Sequence, residues 1–375
     1  MALASAAGPA NLRILVVGAG IAGLATARAL RLAGFRPEVI EQRSGPDEDP
    51  CTGTYLPGNA IRALRRLGLD GPVRPLGQVV HRQHFLDAAG SPLCQVDLTG
   101  FWAGVGECRA LPGAELHRVL LTGAGGEVRY GTGIRSVALS TGTVTATLTD
   151  GATAEYDLLI GADGRRSTVR GLAALGGASR PVGQLVYRAV VSGGPSVNEW
   201  TGLLGQRSGF VVVPMGARRL YCYADEVATV LPTDPVARMR EVFAGYGGPV
   251  PRVLDALDRV DVTRVGEVEL GRWSRGRVVL VGDAAHATTP TLAQGVAMAL
   301  EDAVVLAESL GAADTVEAAL VAYESRRRPR TKWVLDRTRD RDRTRDVPPA
   351  LRDPLLRGRG ERIFQEHYRL LVDPV

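Results

Sequence analysis

Three glycines constrain this chain more than any other feature. Gly18, Gly20 and Gly23 stand between an apolar, strand-like stretch at 13–17 and an Ala- and Leu-rich helical stretch at 21–33. In that context each glycine of G-x-G-x-x-G answers a separate need. Gly18 permits the tight turn, Gly20 lets backbone approach a pyrophosphate, and Gly23 lets helix and strand pack closely. The pyrophosphate belongs at the helix N-terminus, beside Ile21 and Ala22, where unpaired N–H groups and the helix dipole favour an anion. A second strand ends at Glu41, a carboxylate able to accept from ribose hydroxyls and favouring a free 2′-hydroxyl. Residues 13–41 therefore predict a βαβ unit that binds a dinucleotide.

The remainder is long enough for a second domain, entangled with the first, since 375 residues exceed one average domain of about 100 to 200. A hydrophobic share of 45% against 23% charged excludes wholesale disorder. The longest nearly uncharged apolar run, 14–27, falls short of the ~20 residues a bilayer span needs. The first residues lack the basic and apolar regions of a secretory signal, so no membrane association and a cytoplasmic location are expected. Cys51, Cys94, Cys108 and Cys222 form no C-x-x-C, and the five histidines never fall at i, i+4 on a predicted helix, which argues against disulfides and metal sites. Positive charge is local: residues 326–362 hold 13 Arg, one Lys and six acids, net +8. Such a segment could contact phosphates, but Asp336, Asp340, Asp342 and Asp346 interleave with the arginines at i, i+3 and i, i+4, which favours a solvated or packing helix and no nucleic-acid partner.

Along the chain, helices are predicted from the Pro57-Gly58 start, at 114–121, near 235–244, from about Gln294, over 315–345 and over 361–371. A hairpin turns at Asp150-Gly151 and returns to a buried strand at 156–160. Between 182 and 270 the pattern is antiparallel. The fold class is α/β: a Rossmann-like nucleotide-binding domain over 12–77, 102–177 and 271–330, an inserted β-rich domain over 78–101 and 178–270, and C-terminal helices over 331–375.

Three separated motifs, GAGIAG with Glu41, GADGRRSTVR at 161–170 and VGDAAHATTPTLAQG at 281–295, occur in an order and spacing that resembles the FAD-dependent aromatic hydroxylase type of flavoprotein monooxygenase, the p-hydroxybenzoate hydroxylase-like family. The resemblance implies that Gly18, Gly20, Ile21, Ala22 and Gly23 hold the FAD pyrophosphate and Glu41 the adenosine ribose, with Arg43 and Val137 close by. It further implies that Asp163 and Gly164, followed by Arg165, Ser167 and Arg170, serve both FAD and the nicotinamide donor. Gly282 and Asp283 would contact the ribityl and pyrophosphate portion, and Pro290, Ala293, Gly295 and Val296 would flank the isoalloxazine. The last assignment has independent physical support, because a helix starting near Gln294 aims N–H donors at the edge where reduced flavin carries negative charge. The chain departs from the family at Gly113, where an FAD-contacting Arg is usual and for which Arg109 is the available substitute, and at Ala293 and Ala297, where Gly and Asn are common.

The implied chemistry is reduction of FAD by NADPH or NADH, addition of O2 at the flavin C4a, and delivery of one oxygen atom from the hydroperoxide to an aromatic or polycyclic small molecule, by hydroxylation or epoxidation. An FAD-dependent oxidase or dehydrogenase is the alternative. No catalytic residue is designated. Substrate contacts are expected from Tyr187, Phe210, Tyr221 and Tyr223, with Arg188, on the inserted strands, and His81 and His84 could assist phenol deprotonation. The assembly expected is a monomer or homodimer.

Overall fold

The computed structural model describes residues 12–46 and 48–375. The first apolar stretch forms the strand Ile14–Val17, buried along its whole length and paired in parallel with Leu158–Gly161 on one side and Glu38–Ile40 on the other. These strands are apolar at successive positions because both faces of a parallel sheet are covered. The complete sheet has six strands in the order Ser274–Arg275, Val278–Leu280, Leu158–Gly161, Ile14–Val17, Glu38–Ile40, Val128–Arg129. Helix Ile21–Leu32 packs against helix Gly295–Ala312, so the two glycine-bearing turns come from neighbouring elements although nearly the whole chain separates them. A Cβ on Gly23 would overlap the carbonyl oxygen of Gly18, which is the close helix–strand approach the spacing predicted.

The region expected to be antiparallel forms a seven-stranded sheet in the order Asp261–Glu267, Arg180–Ser192, Arg219–Val227, Ser208–Pro214, Trp200–Leu204, Arg82–Asp87, Pro92–Asp97. One pair in it is parallel, Trp200–Leu204 with Arg82–Asp87. Its two faces differ. Leu185, Tyr187, Leu203, Phe210, Val212 and Cys222 are buried with Met239, Phe243 and Val253 from the covering helices Pro235–Val242 and Val250–Asp255. The opposite face turns toward the six-stranded sheet and forms the floor of a cavity.

The C-terminal part is more helical than its sequence predicts. Val316–Arg343 is one helix of 28 residues, and Pro349–Val372 is another that begins well before the expected 361. Its first half reads PALRDPLLRGRG, with Pro and Gly that disfavour a helix. Gly360 is nevertheless required where the helix crosses the strand Pro92–Asp97, since a Cβ there would collide with the Cys94 sulfur. No helix among the described residues is long and apolar enough to cross a membrane.

Candidate functional site

The glycine turn is held from beneath by buried polar groups. Glu41 accepts from the backbone N–H of Ala19 at 2.8 Å through Oε2 and from that of Arg43 at 2.9 Å through Oε1, while the Arg43 guanidinium lies 3.4 Å from the same carboxylate. His117 meets the Ala19 carbonyl at 2.9 Å. Two accepted bonds leave a carboxylate with free lone pairs, so Glu41 both fixes the turn and retains capacity for ribose hydroxyls. At Gly20, the cap of helix Ile21–Leu32, a Cβ would meet nothing within 4 Å, and no side chain caps the helix. The first N–H groups of that helix thus lie beside open space, where an anionic ligand would be favoured.

The second and third motifs are tied to each other. Arg170 is buried, and its guanidinium donates to the carbonyls of Gly177, Ala284 and Arg165, each at 2.9 Å. One side chain therefore spans the loop after Asp163-Gly164 and the turn after Gly282-Asp283. Asp163 Oδ2 accepts from the N–H groups of Thr168 and Val169 at 2.7 and 3.0 Å, whereas Oδ1 is buried without a partner among the described residues. An orphaned buried acceptor is costly unless a ligand hydroxyl completes it. Gly282 donates at 2.8 Å to Asp302, which also takes 2.6 Å and 2.7 Å contacts from His286 and Arg327. Burial alone would raise the Asp302 carboxyl, but His286 and Arg327 outweigh it and hold it below the usual range. Glu301 beside it, desolvated yet paired with Arg327 and Arg330, is likewise held low. His286 is thus a positioning residue under the Gly-Asp turn.

A cavity of about 530 Å3 lies between these motifs and the seven-stranded sheet, within the usual size range of a small-molecule site. Ile21, Arg165, Asp283, Pro290, Ala293, Gly295 and Val296 line its cofactor side. Asp283 faces the open cavity yet is densely surrounded; that surrounding protein raises its carboxyl, and His286, Arg165 and Arg188 pull it partly back. The loop before helix Gly295–Ala312 is clamped by Asp342, which accepts from Thr289 Oγ1 at 2.6 Å and Thr291 Oγ1 at 2.5 Å. Tyr368 donates to the Leu292 carbonyl at 3.2 Å. Buried Asn59 bridges Gln294 and Glu301 at 3.0 and 3.1 Å. The helix has no side-chain cap, so its first N–H groups look into the cavity past Gly295 and Val296.

The floor separates the four aromatic residues expected to touch substrate. Tyr221 and Tyr223 line the cavity with Arg188. Tyr187 does not, being fully buried on the opposite face with its hydroxyl 2.6 Å from Glu226, while Phe210 borders the cavity although its ring stacks edge-on to Phe243 at 5.1 Å. Successive residues of a strand alternate faces, and Arg188 pairs with Tyr223 whereas Tyr187 pairs with Ala224. His81 hydrogen-bonds Thr99 at the surface and His84 is off the cavity, so neither is in reach of a bound phenol. Arg109 does not join the cofactor side either. Its guanidinium is taken up by Glu107 at 2.6 Å and the Leu76 carbonyl at 2.6 Å. Val137 is half-buried on the strand Ile134–Leu139 of a separate three-stranded sheet and does not line the cavity.

The sequence reading missed one entire wall. Arg341 and Arg345 from helix Val316–Arg343 and the turn after it, and Leu356, Phe364, His367 and Tyr368 from Pro349–Val372, all line the cavity. Arg345 pairs with Asp225 and Asp342, and its own charge is reinforced although burial opposes it. Burial, Arg341 and Arg337 push His367 down to about 4, so it is neutral at physiological pH. Tyr223, desolvated and beside Asp225, is raised well above an ordinary phenol and stays protonated, its hydroxyl unpartnered among the described residues. Gln83 Oε1 and Thr288 Oγ1, also cavity-lining, are orphaned likewise.

Comparison with known proteins agrees with this geometry. The profile of a family described as "FAD binding domain" matches residues 11–338. An FAD-dependent urate hydroxylase of Mycolicibacterium vanbaalenii is 32% identical, over 93% of this chain and 91% of its own. The 3-amino-4-hydroxybenzoate 2-monooxygenase PtnB3 of Streptomyces platensis is 33% identical, over 92% and 91%. Among solved structures, Klebsiella pneumoniae HpxO complexed with FAD and uric acid is similar at a TM-score of 0.88 and 26% identity, over 96% of this chain and 97% of that one.

Proposed function

The chain belongs to the FAD-dependent aromatic hydroxylase type of flavoprotein monooxygenase, and from that premise we propose that it uses FAD, reduced by NADPH or NADH, to insert one oxygen atom of O2 into an aromatic or polycyclic small molecule. The six-stranded sheet with its helices serves the cofactor in this reading, and the seven-stranded sheet serves the substrate. Bound FAD supplies the redox chemistry, drawing two electrons from the nicotinamide and passing one atom of O2 to the substrate while the other leaves as water.

The residues of the chain then have four tasks. Gly18, Gly20, Gly23 and Glu41 bind the adenosine and pyrophosphate end, and Asp163 offers its free oxygen to a cofactor hydroxyl. Asp283, held by the Gly282–Asp302 bond, and the loop of Pro290 to Val296 orient the ring, with the uncapped helix N-terminus facing negative charge at its edge. Phe85, Trp200, Leu204, Val211 and Phe364 exclude water. Tyr223, Gln83 and Thr288 orient the substrate through their unpartnered atoms. His367, lowered to about 4, is a weaker base toward a phenol than an ordinary imidazole.

The observation that carries this reading is the meeting of cofactor loop and polar sheet face in one cavity. Adding FAD to the purified protein should give a flavin spectrum and NAD(P)H consumption that rises with aromatic substrate; a protein that stays colourless after FAD addition contradicts it.

A further inference from the structure

Three arginines of the cavity lack a paired carboxylate among the described residues, Arg165, Arg264 and Arg341, and only Arg341 also lacks a hydrogen bond. Arg188 pairs with Asp261 and Thr263, Arg345 with Asp225 and Asp342, and Arg352 with Asp353. Arg165 and Arg264 donate to the carbonyls of Arg264 and Thr229. Arg341 is different: among the described residues its guanidinium has neither ion pair nor hydrogen bond, and lies over the Phe85 ring at 5.1 Å. The Phe85 ring packs on Trp200 at 5.0 Å, and Leu356 and Phe364 line the same cavity. The two acids that flank it on its own helix are taken, Asp340 by Arg337 and Arg343 and Asp342 by Arg345, Thr289 and Thr291. Half-buried and stacked over one ring, the guanidinium keeps its N–H donors free for a ligand that brings a counter-charge.

Its position gives the length of that ligand. Phe85 and Tyr223 lie in the same cross-strand row, joined through Val211 and Gly202, on strands three spacings apart. At ~4.8 Å per spacing their backbones are ~14 Å apart. We infer that Arg341 is a specificity-determining residue that binds a carboxylate at the far end of an elongated aromatic substrate, whose ring lies between Tyr223 and the Pro290–Val296 loop. Arginine presents a planar fork matched to a carboxylate. His367, lowered first by burial and then by Arg341 and Arg337 against Asp340, stands beside the same guanidinium. This inference rests on the cofactor reading for where the ring binds, but not for the charge preference itself.

Calorimetric titration of the FAD-loaded protein with hydroxyphenylpropanoate and hydroxyphenylbutanoate, each against its primary amide, separates the two. The acid should bind ~10-fold or more tightly than the amide. Arg341→Gln should abolish that ratio with the flavin spectrum intact, and Arg341→Lys should retain a preference for acid. No acid preference in the unaltered protein, including no binding of either member, overturns the inference, as does a preference that survives Arg341→Gln. A missing flavin spectrum counts against the cofactor reading alone, since the same acid and amide titrations are then run on the protein without FAD.

Discussion

Ala293 shows how much one backbone torsion matters in a binding loop. The family commonly has glycine there, and the structure gives the reason: Ala293 has φ +51°, in the left-handed region. That conformation costs an L-residue ~1–2 kcal/mol, while glycine loses ~0.5–1 kcal/mol more entropy on folding. Ala293→Gly should therefore stabilise the protein by roughly 0.5–1 kcal/mol, read as a higher denaturation midpoint. Ala297 differs, being buried inside helix Gly295–Ala312 with no such strain. The tyrosines give a second residue-scale prediction. Tyr187→Phe breaks the bond to Glu226 and should cost ~1–2 kcal/mol of stability with ligand binding unchanged. Tyr223→Phe removes an unpartnered hydroxyl and should leave stability nearly unchanged while weakening substrate binding in the same titrations. Alternation along the strands was legible in the sequence, but which parity faces the cofactor depends on how the sheet is mounted, and no local pattern carries that.

The Arg-rich segment teaches the same lesson at the scale of the element. Of its four interleaved acids, Asp336 pairs with Lys332, Asp340 with Arg337 and Arg343, and Asp342 with Arg345 within the segment, whereas Asp346 pairs with Arg207 outside it. The sequence could not show that Arg327 and Arg330 reach buried Glu301 and Asp302 on the cofactor-side helix, or that Arg339 reaches Glu267. Arg327→Met would remove a buried counter-charge shared by two carboxylates, and unfolding free energy should fall by ~3–5 kcal/mol. The last helix carries a pH dependence. Between His367's ordinary 6.5 and its folded value of about 4, the unfolded chain binds a proton that the folded chain does not. The stability tied to His367 is thus complete above about 6.5 and is lost as pH falls toward 4. Denaturation curves from pH 7 to 4 should fall less steeply for His367→Gln.

At the scale of the whole molecule, the legible parts were those where backbone geometry dictates residue type: the glycine turn, the Asp163-Gly164 and Gly282-Asp283 turns, and the strands and helices beside them. The cavity's third wall was not legible, because the helix Pro349–Val372 owes its first half to packing over Cys94 and not to propensity. The three walls converge on one volume, and the proposed reaction needs all of them. The most direct test is turnover under isotopically heavy O2, with FAD, NAD(P)H and an aromatic acid substrate, followed by product mass. The account predicts a product carrying one heavy oxygen atom, formed in step with nicotinamide oxidation. Nicotinamide oxidation that yields only peroxide, with the substrate unchanged or dehydrogenated, would contradict it.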